Sequence, residues 1–167
     1  MYEITPQKSN KKAQYLSTIL LISAFAAMVF SSASWLAYRS VMQIIALLAM
    51  AVAVMLMVRY NLSTYTYAIV TSEDGGYDLT VTEIKRKSRI TVCRISLSGI
   101  ESAVIVDASN KKEITERAKK YKRFNYCVDL NPERSVYLFA EECGERLALR
   151  LSFDQKLFDI ISAAGKN

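Results

Sequence analysis

Two long runs without a single charged side chain constrain this chain more than any other feature. Residues 13–38 form the first, Arg39 interrupts, and residues 40–58 form the second. A bilayer core is crossed by roughly 20 apolar residues in helical form. Hydrocarbon offers no partner to backbone N–H and C=O groups, so such runs enter lipid as helices, which satisfy themselves. The pattern predicts a transmembrane helical hairpin over residues 13–59, a polar and mobile tail over 1–12, and a soluble domain over 60–167. The loop between the two helices, near residues 32–40, is too short to hold an external domain.

The formal net charge is +6, unevenly placed. Lys8, Lys11 and Lys12 precede the first run, Arg59 closes the second, and Lys85, Arg86 and Lys87 follow; Arg39 stands alone at the other end of the hairpin. Cations beside membrane spans favour the cytoplasmic face. The expectation is a multi-pass cell-membrane protein with both termini in the cytoplasm. Tyr15 and Tyr60 suit the inner interface, Trp35 and Tyr38 the outer. Residues 60–167 carry only +2, so the basic balance belongs mostly to the membrane flanks and is poor ground for a nucleic-acid partner.

The rival reading of the N-terminus is a cleaved signal peptide, with Lys8 to Lys12 as its basic region and Ser31-Ser32-Ala33 as its cleavage site. The uncharged run is long for that role, where an apolar stretch of about 7–15 residues suffices. Small residues recur every fourth position, as Ser23, Ala27 and Ser31 in the first run and Ala49 and Ala53, with Ala46 a turn earlier, in the second. Such faces let helices approach closely in lipid. Pairing within the hairpin is the simpler use, and dimerisation the sharper one.

After Arg59 the hydrophobic pattern changes to period two, the signature of strands. Residues 65–71 alternate; the Asp74-Gly75-Gly76 stretch then supplies a turn, and Tyr77, Leu79 and Val81 set the next inward face. Residues 89–97 change phase midway, which predicts a bulge near Cys93 and Arg94. Residues 100–106 make a fourth strand. Over 107–122 the spacing of Ile114, Ala118 and Tyr121 is helical, with Asn110 as a candidate cap. Residues 124–130, 136–141 and 147–151 read as strands again. Ser152 and Gln155 form a capping box ahead of a final helix whose stripe is Phe153, Leu157, Phe158 and Ile161.

Seven antiparallel strands closed by one C-terminal amphipathic helix is an order that resembles the pleckstrin-homology (PH) fold. The fold class expected is therefore a membrane α-hairpin followed by a seven-stranded PH-like antiparallel barrel or sandwich with a capping helix, and 107–122 as an insertion. The resemblance covers residues 62–164 and rests on element order. The whole architecture is similar to bacterial membrane-anchored PH-like proteins of poorly defined function. Lipid-binding PH domains hold phosphoinositides with basic residues in the first hairpin loop. Here that loop is Glu73-Asp74-Gly75-Gly76, which is acidic, so no family binding residue transfers. Many PH-like domains instead bind proteins, at a sheet edge or in a groove beside the helix.

Two basic clusters are the candidate anionic-surface contacts: Lys85, Arg86, Lys87 and Arg89, with Arg94, around the second hairpin, and Lys119, Lys120, Lys122 and Arg123, with Lys111, Lys112 and Arg117, on the insertion. Anionic lipid heads attract such residues by about 1 kcal/mol each. The plainer reading is a solvated face, with Glu113–Arg117 and Glu116–Lys120 as helix-supporting pairs. Tyr121, Phe124 and Tyr126 among these cations raise single-stranded nucleic acid, but they read better as core.

Histidine is absent, which excludes histidine acid–base chemistry and ligation. Cys93, Cys127 and Cys143 show no CxxC spacing and read as free thiols in a reducing compartment. No cofactor motif, metal loop or phosphate-binding glycine loop is present. The sequence thus predicts a non-enzymatic module that recruits or braces a protein partner at the inner membrane surface, through the sheet edges beside the insertion or the groove under residues 153–161. The alternative is an anionic-lipid or envelope sensor.

Overall fold

The computed structural model describes residues 2–8, 12–31, 38–85 and 87–164. They divide into two compact units, a helical one over residues 10–63 and a β-rich one formed by residues 1–9 with 64–167.

The helical unit is a hairpin of α1 (Lys12–Phe30) and α2 (Arg39–Met57), continued by a π-helical turn, Val58–Leu62. Both helices are long and apolar enough to cross a membrane, the second over Arg39–Leu62. Their large side chains point outward: Ile19, Phe25, Leu48 and Met55 are all more than 60 % exposed. A helix in a water-soluble core would bury such residues. The seam between the helices holds small ones instead. Ser17, Ala24 and Ser31 line it from one side, Ala46 and Ala53 from the other. The spacing is seven residues, the period of a supercoiled pair, whereas the sequence suggested every fourth. Ser23 accordingly faces outward, its hydroxyl donating to the Leu20 carbonyl. Trp35 and the rest of the 32–37 loop lie outside the described residues.

Among the described residues the β-rich unit contains eight strands in two four-stranded sheets. The first has the order β1 (Tyr2–Ile4), β2 (Ser63–Thr71), β3 (Tyr77–Lys85), β4 (Ser88–Ser96). The second has the order β5 (Ile100–Val106), β7 (Ser135–Glu142), β8 (Glu145–Ser152), β6 (Lys122–Asn125). Tyr67, Leu79, Val81 and Ile95 from the first sheet share one core with Leu138, Leu149 and Leu151 from the second. The final helix, α4 (Gln155–Ala164), lays Leu157 and Ile161 into that core.

Several expectations change. Residues 1–12 are not all tail: Tyr2, Glu3 and Ile4 pair antiparallel with Ile69, Ala68 and Tyr67. The hairpin is thus inserted between two neighbouring strands of one sheet. Second, the sheets do not close into a barrel, and one pair is parallel, Lys122–Asn125 running alongside Leu147–Arg150. The cause is α3 (Lys111–Ala118). Strands β5 and β6 occupy opposite edges of their sheet, and parallel strands require a long crossover, commonly a helix. Ile114 and Ala118 of α3 pack on Tyr137, Phe139 and Ala148, the outer face of the sheet, so the segment 107–122 is that crossover. This also explains why all of residues 135–140 are buried: alternate side chains enter two different cores.

Third, both helix caps differ in detail. At α4 the cap is Asp154, whose Oδ1 accepts the Leu157 N–H at 2.8 Å, while Ser152 Oγ accepts from Val128 N–H. At α3 the Asn110 side chain makes no cap bond but donates to the Ile105 carbonyl. The bulge falls one residue earlier than expected. Val81 pairs with Cys93 and Thr82 with Thr91, which leaves Val92 as the extra residue. Regular strand ends at Asn125, not at Leu130, although Tyr126 and Val128 still reach the core.

Candidate functional site

The basic clusters fall on different sheets. Lys85, Lys87 and Arg89 surround the β3–β4 turn, and Arg86 lies outside the described residues. Lys119 and Lys120 follow α3, and Lys122 and Arg123 open β6.

The second cluster is occupied in part: among the described residues no ion pair or side-chain hydrogen bond engages Lys112, Lys120 or Arg123. Lys119 pairs with Glu116 at 2.7 Å and Lys122 with Glu145 at 2.8 Å. Lys111 donates to Asn131 Oδ1, and Arg117 donates to Ser102 Oγ while its guanidinium stands 4.2 Å from the Phe139 ring centre. The i,i+4 pairs expected from sequence give way to these contacts. Exposed ion pairs contribute little to stability, but each neutralises a cation that a ligand would need.

The first cluster is likewise paired in part, and differs in standing beside exposed apolar side chains. Lys85 pairs with Glu83 at 2.9 Å, and Arg94 with the buried Asp78 at 2.7 Å. Among the described residues no ion pair engages Lys87 or Arg89. The arm that carries them is unusual. Residues 88–92 are exposed on both faces of a paired strand, where one face would ordinarily be buried. Ile90 is 56 % exposed and Val92 38 %. The sequence marked the cations and missed these apolar neighbours, because alternation alone does not show that a hairpin has outrun its core.

Leu157 and Ile161, in the stretch 153–161 where a groove was expected, are packed into the core. An open groove of about 530 Å³ lies at the start of α4, between the N-terminal segment (Ile4, Pro6) and Val128, Asp129, Arg134 and Phe153. Nothing in the sequence brings residues 4–7 to that place except the pairing of β1.

The thiols occupy three environments. Cys127 is buried, Cys93 half-buried and Cys143 exposed. Burial pushes the Cys93 thiol up and the charge of Glu142 adds to this, against a hydrogen bond from Tyr126. A nucleophilic thiol needs the opposite shift. Among the described residues no group of three acidic or cysteine side chains is placed to hold a metal ion. No buried side-chain polar atom among them lacks a hydrogen bond.

Comparison with known protein families, with curated proteins and with solved structures finds no match to this chain.

Proposed function

We propose that this chain is a membrane-tethered, non-enzymatic interaction module that recruits or braces a protein partner at the inner face of a bacterial membrane. The observation that carries this reading is the pairing of Ile4 with Tyr67. One residue precedes the hairpin and the other follows it. A sheet cannot be shared across a bilayer, so a hairpin that spans the membrane leaves both of its ends on one side. The cationic flanks favour the cytoplasmic side for those ends. A PH-like docking role for the β-rich unit is supported by its two packed sheets and the helix that completes their core.

Tethering makes weak docking sufficient, because the local concentration at the surface is high. The candidate partner surfaces are β5 and β6, the edges of the second sheet. The non-enzymatic reading is supported by the absence of histidine and by the raised Cys93 thiol. An anionic lipid surface is the second reading, and the uncompensated cations beside the β3–β4 turn favour it.

Two measurements test the proposal. A membrane-impermeant maleimide should modify the exposed Cys143 in inside-out vesicles and spare it in intact spheroplasts; the reverse pattern sinks the orientation. A photocrosslinking residue at Glu101 or Arg123, each exposed at its edge strand, should give one discrete adduct with another protein. Absence of any adduct from both edges removes the partner reading.

A further inference from the structure

We propose that the far end of the β3–β4 hairpin is a bilayer-contacting tip, in which Ile90 and Val92 enter the interfacial layer of an anionic membrane while Lys87 and Arg89 meet lipid phosphates. The proposal rests on the reading of α1 and α2 as a membrane anchor.

The geometry of the arm carries it. Beyond the bulge at Val92 the hairpin continues as a two-stranded ribbon through Thr82↔Thr91, Glu83↔Ile90, Ile84↔Arg89 and Lys85↔Ser88. Directly opposed residues share a face, and neighbours along a strand take opposite faces. Ile90 therefore lies on one face with Glu83, and Ile84 on the other with Arg89. The ribbon carries the exposed Ile90 on one face and the half-buried Ile84 on the other, and residues 88–92 are all exposed. A single exposed isoleucine would mean nothing. Apolar residues on both faces of a cationic tip are a different matter.

Charge selects the occupant. The one carboxylate on the arm, Glu83, is already held by Lys85. Lys87 and Arg89 are left without an ion pair among the described residues, and Arg86 adds a further positive charge in the sequence. An acidic peptide adding a strand to β4 would cover the free edge but leave both faces of the ribbon in water. Immersion in a headgroup layer covers both faces and supplies phosphates at the same depth as the aliphatic side chains.

The test uses the full chain in lipid nanodiscs. Trp35→Phe removes the single tryptophan, and Ile90→Trp places one on the tip. Discs are made of phosphatidylcholine alone or mixed with phosphatidylglycerol, with and without brominated acyl chains. In anionic discs the emission of the new tryptophan should shift to the blue and be quenched by bromolipid. Its quenching by aqueous acrylamide should fall about threefold. High salt, or Lys87→Glu with Arg89→Glu, should reverse all three changes. Tyr77→Trp, an exposed site beside the acidic 72–76 turn, should stay accessible to acrylamide in both discs.

A tip tryptophan equally open to acrylamide in neutral and anionic discs overturns the proposal and leaves the arm to a protein partner. Equal protection in both, insensitive to salt, overturns the headgroup assignment. Failure of the chain to enter discs of either composition, seen by co-elution, overturns the anchor reading itself and is distinguished from the other results by that readout.

Discussion

The hydroxyl of Tyr2 donates to Oδ1 of Asp154 at 2.7 Å, which ties the first strand of the chain to the start of its last helix. The same oxygen accepts the Leu157 N–H. Tyr2→Phe removes one of these bonds and should lower stability by about 0.5–1.5 kcal/mol, the usual net worth of a hydrogen bond. Asp154→Ala removes both, including a helix cap that alone is worth about 1 kcal/mol, and should cost more. Chemical unfolding of the full chain in detergent micelles checks the order. Equal midpoints for the Tyr2→Phe variant and the parent would show that the bond does not hold β1.

The clasp also has a pH signature. Partial burial, the bond to Asp154 and the charge of that carboxylate push the Tyr2 phenol up to about 12. An unfolded phenol ionises near pH 10. The folded state thus holds its proton more tightly, so the contribution is complete below about pH 10 and is lost as pH rises towards 12. Tyrosinate absorbance of the parent should show a late-titrating group that the Tyr2→Phe variant lacks. If the variant titrates identically, the phenol is not held by Asp154.

Tyr67 is the buried counterpart. Its hydroxyl donates to the Tyr126 carbonyl at 2.8 Å and accepts the Ser152 N–H at 3.1 Å, linking β2 to the chain after β6 and to the end of β8. Burial, the largest influence, pushes its phenol up. Tyr67→Phe keeps the ring but strands an N–H and a C=O in a dry core. A buried group left without its partner costs about 1–3 kcal/mol, so this change should exceed Tyr2→Phe. Unfolding midpoints of the two variants, measured side by side, decide the comparison.

How far these contacts could be read from the chain depends on their range. The inward face expected at Leu79 and Val81 survived into the fold because a strand with one buried face has a period that residues alone display, whereas Tyr77, at the strand's start beside the turn, is 58 % exposed and not inward. The phase change before Ile95 revealed the bulge for the same reason. Three residues such as Tyr2–Ile4 have no period, and their partner Tyr67 lies beyond the whole hairpin. Periodicity is also blind to strand direction, so Phe124 gave no sign that β6 runs parallel to β8. Ser152 and Asp154 both had the chemistry of a cap, and only the position of Val128 decided which was free for it. At the candidate site the cations were legible as charge, whereas the exposure of Ile90 and Val92 depends on where the core ends.

The cysteines give a further prediction. Cys143 sits at φ 52° beside Gly144 at φ 78°, in an exposed turn between β7 and β8. Two successive positive φ values match a tight primed hairpin turn, which favours asparagine or glycine. Cys143→Asn should therefore raise stability, by up to about 1 kcal/mol. In the parent, iodoacetamide at neutral pH should modify Cys143 first, Cys93 slowly and Cys127 only on unfolding. Peptide mass spectrometry over time reads this order. Rapid modification of Cys93 would contradict its raised pKa and reopen a reactive-thiol role.

The hairpin seam offers the sharpest contrast between neighbouring residues. Ala46 and Ala53 are each 1 % exposed, while Leu47, beside Ala46, is 53 % exposed. In lipid, apolar area alone does not hold helices together, because acyl chains are as apolar as leucine; close backbone approach does. Ala46→Leu or Ala53→Leu adds bulk where no space exists and should force α1 and α2 apart, at a cost of about 1–3 kcal/mol. Leu47→Ala removes more apolar surface yet should leave the pair intact, since that side chain faces away from α1. Disulfide trapping between pairs of cysteines scanned along the facing sides of α1 and α2 measures helix proximity directly. Efficient trapping in the Leu47→Ala background and poor trapping in Ala46→Leu fits a seam built on small residues. The opposite ranking would mean that the hairpin is held by its large side chains, as in a water-soluble helical pair.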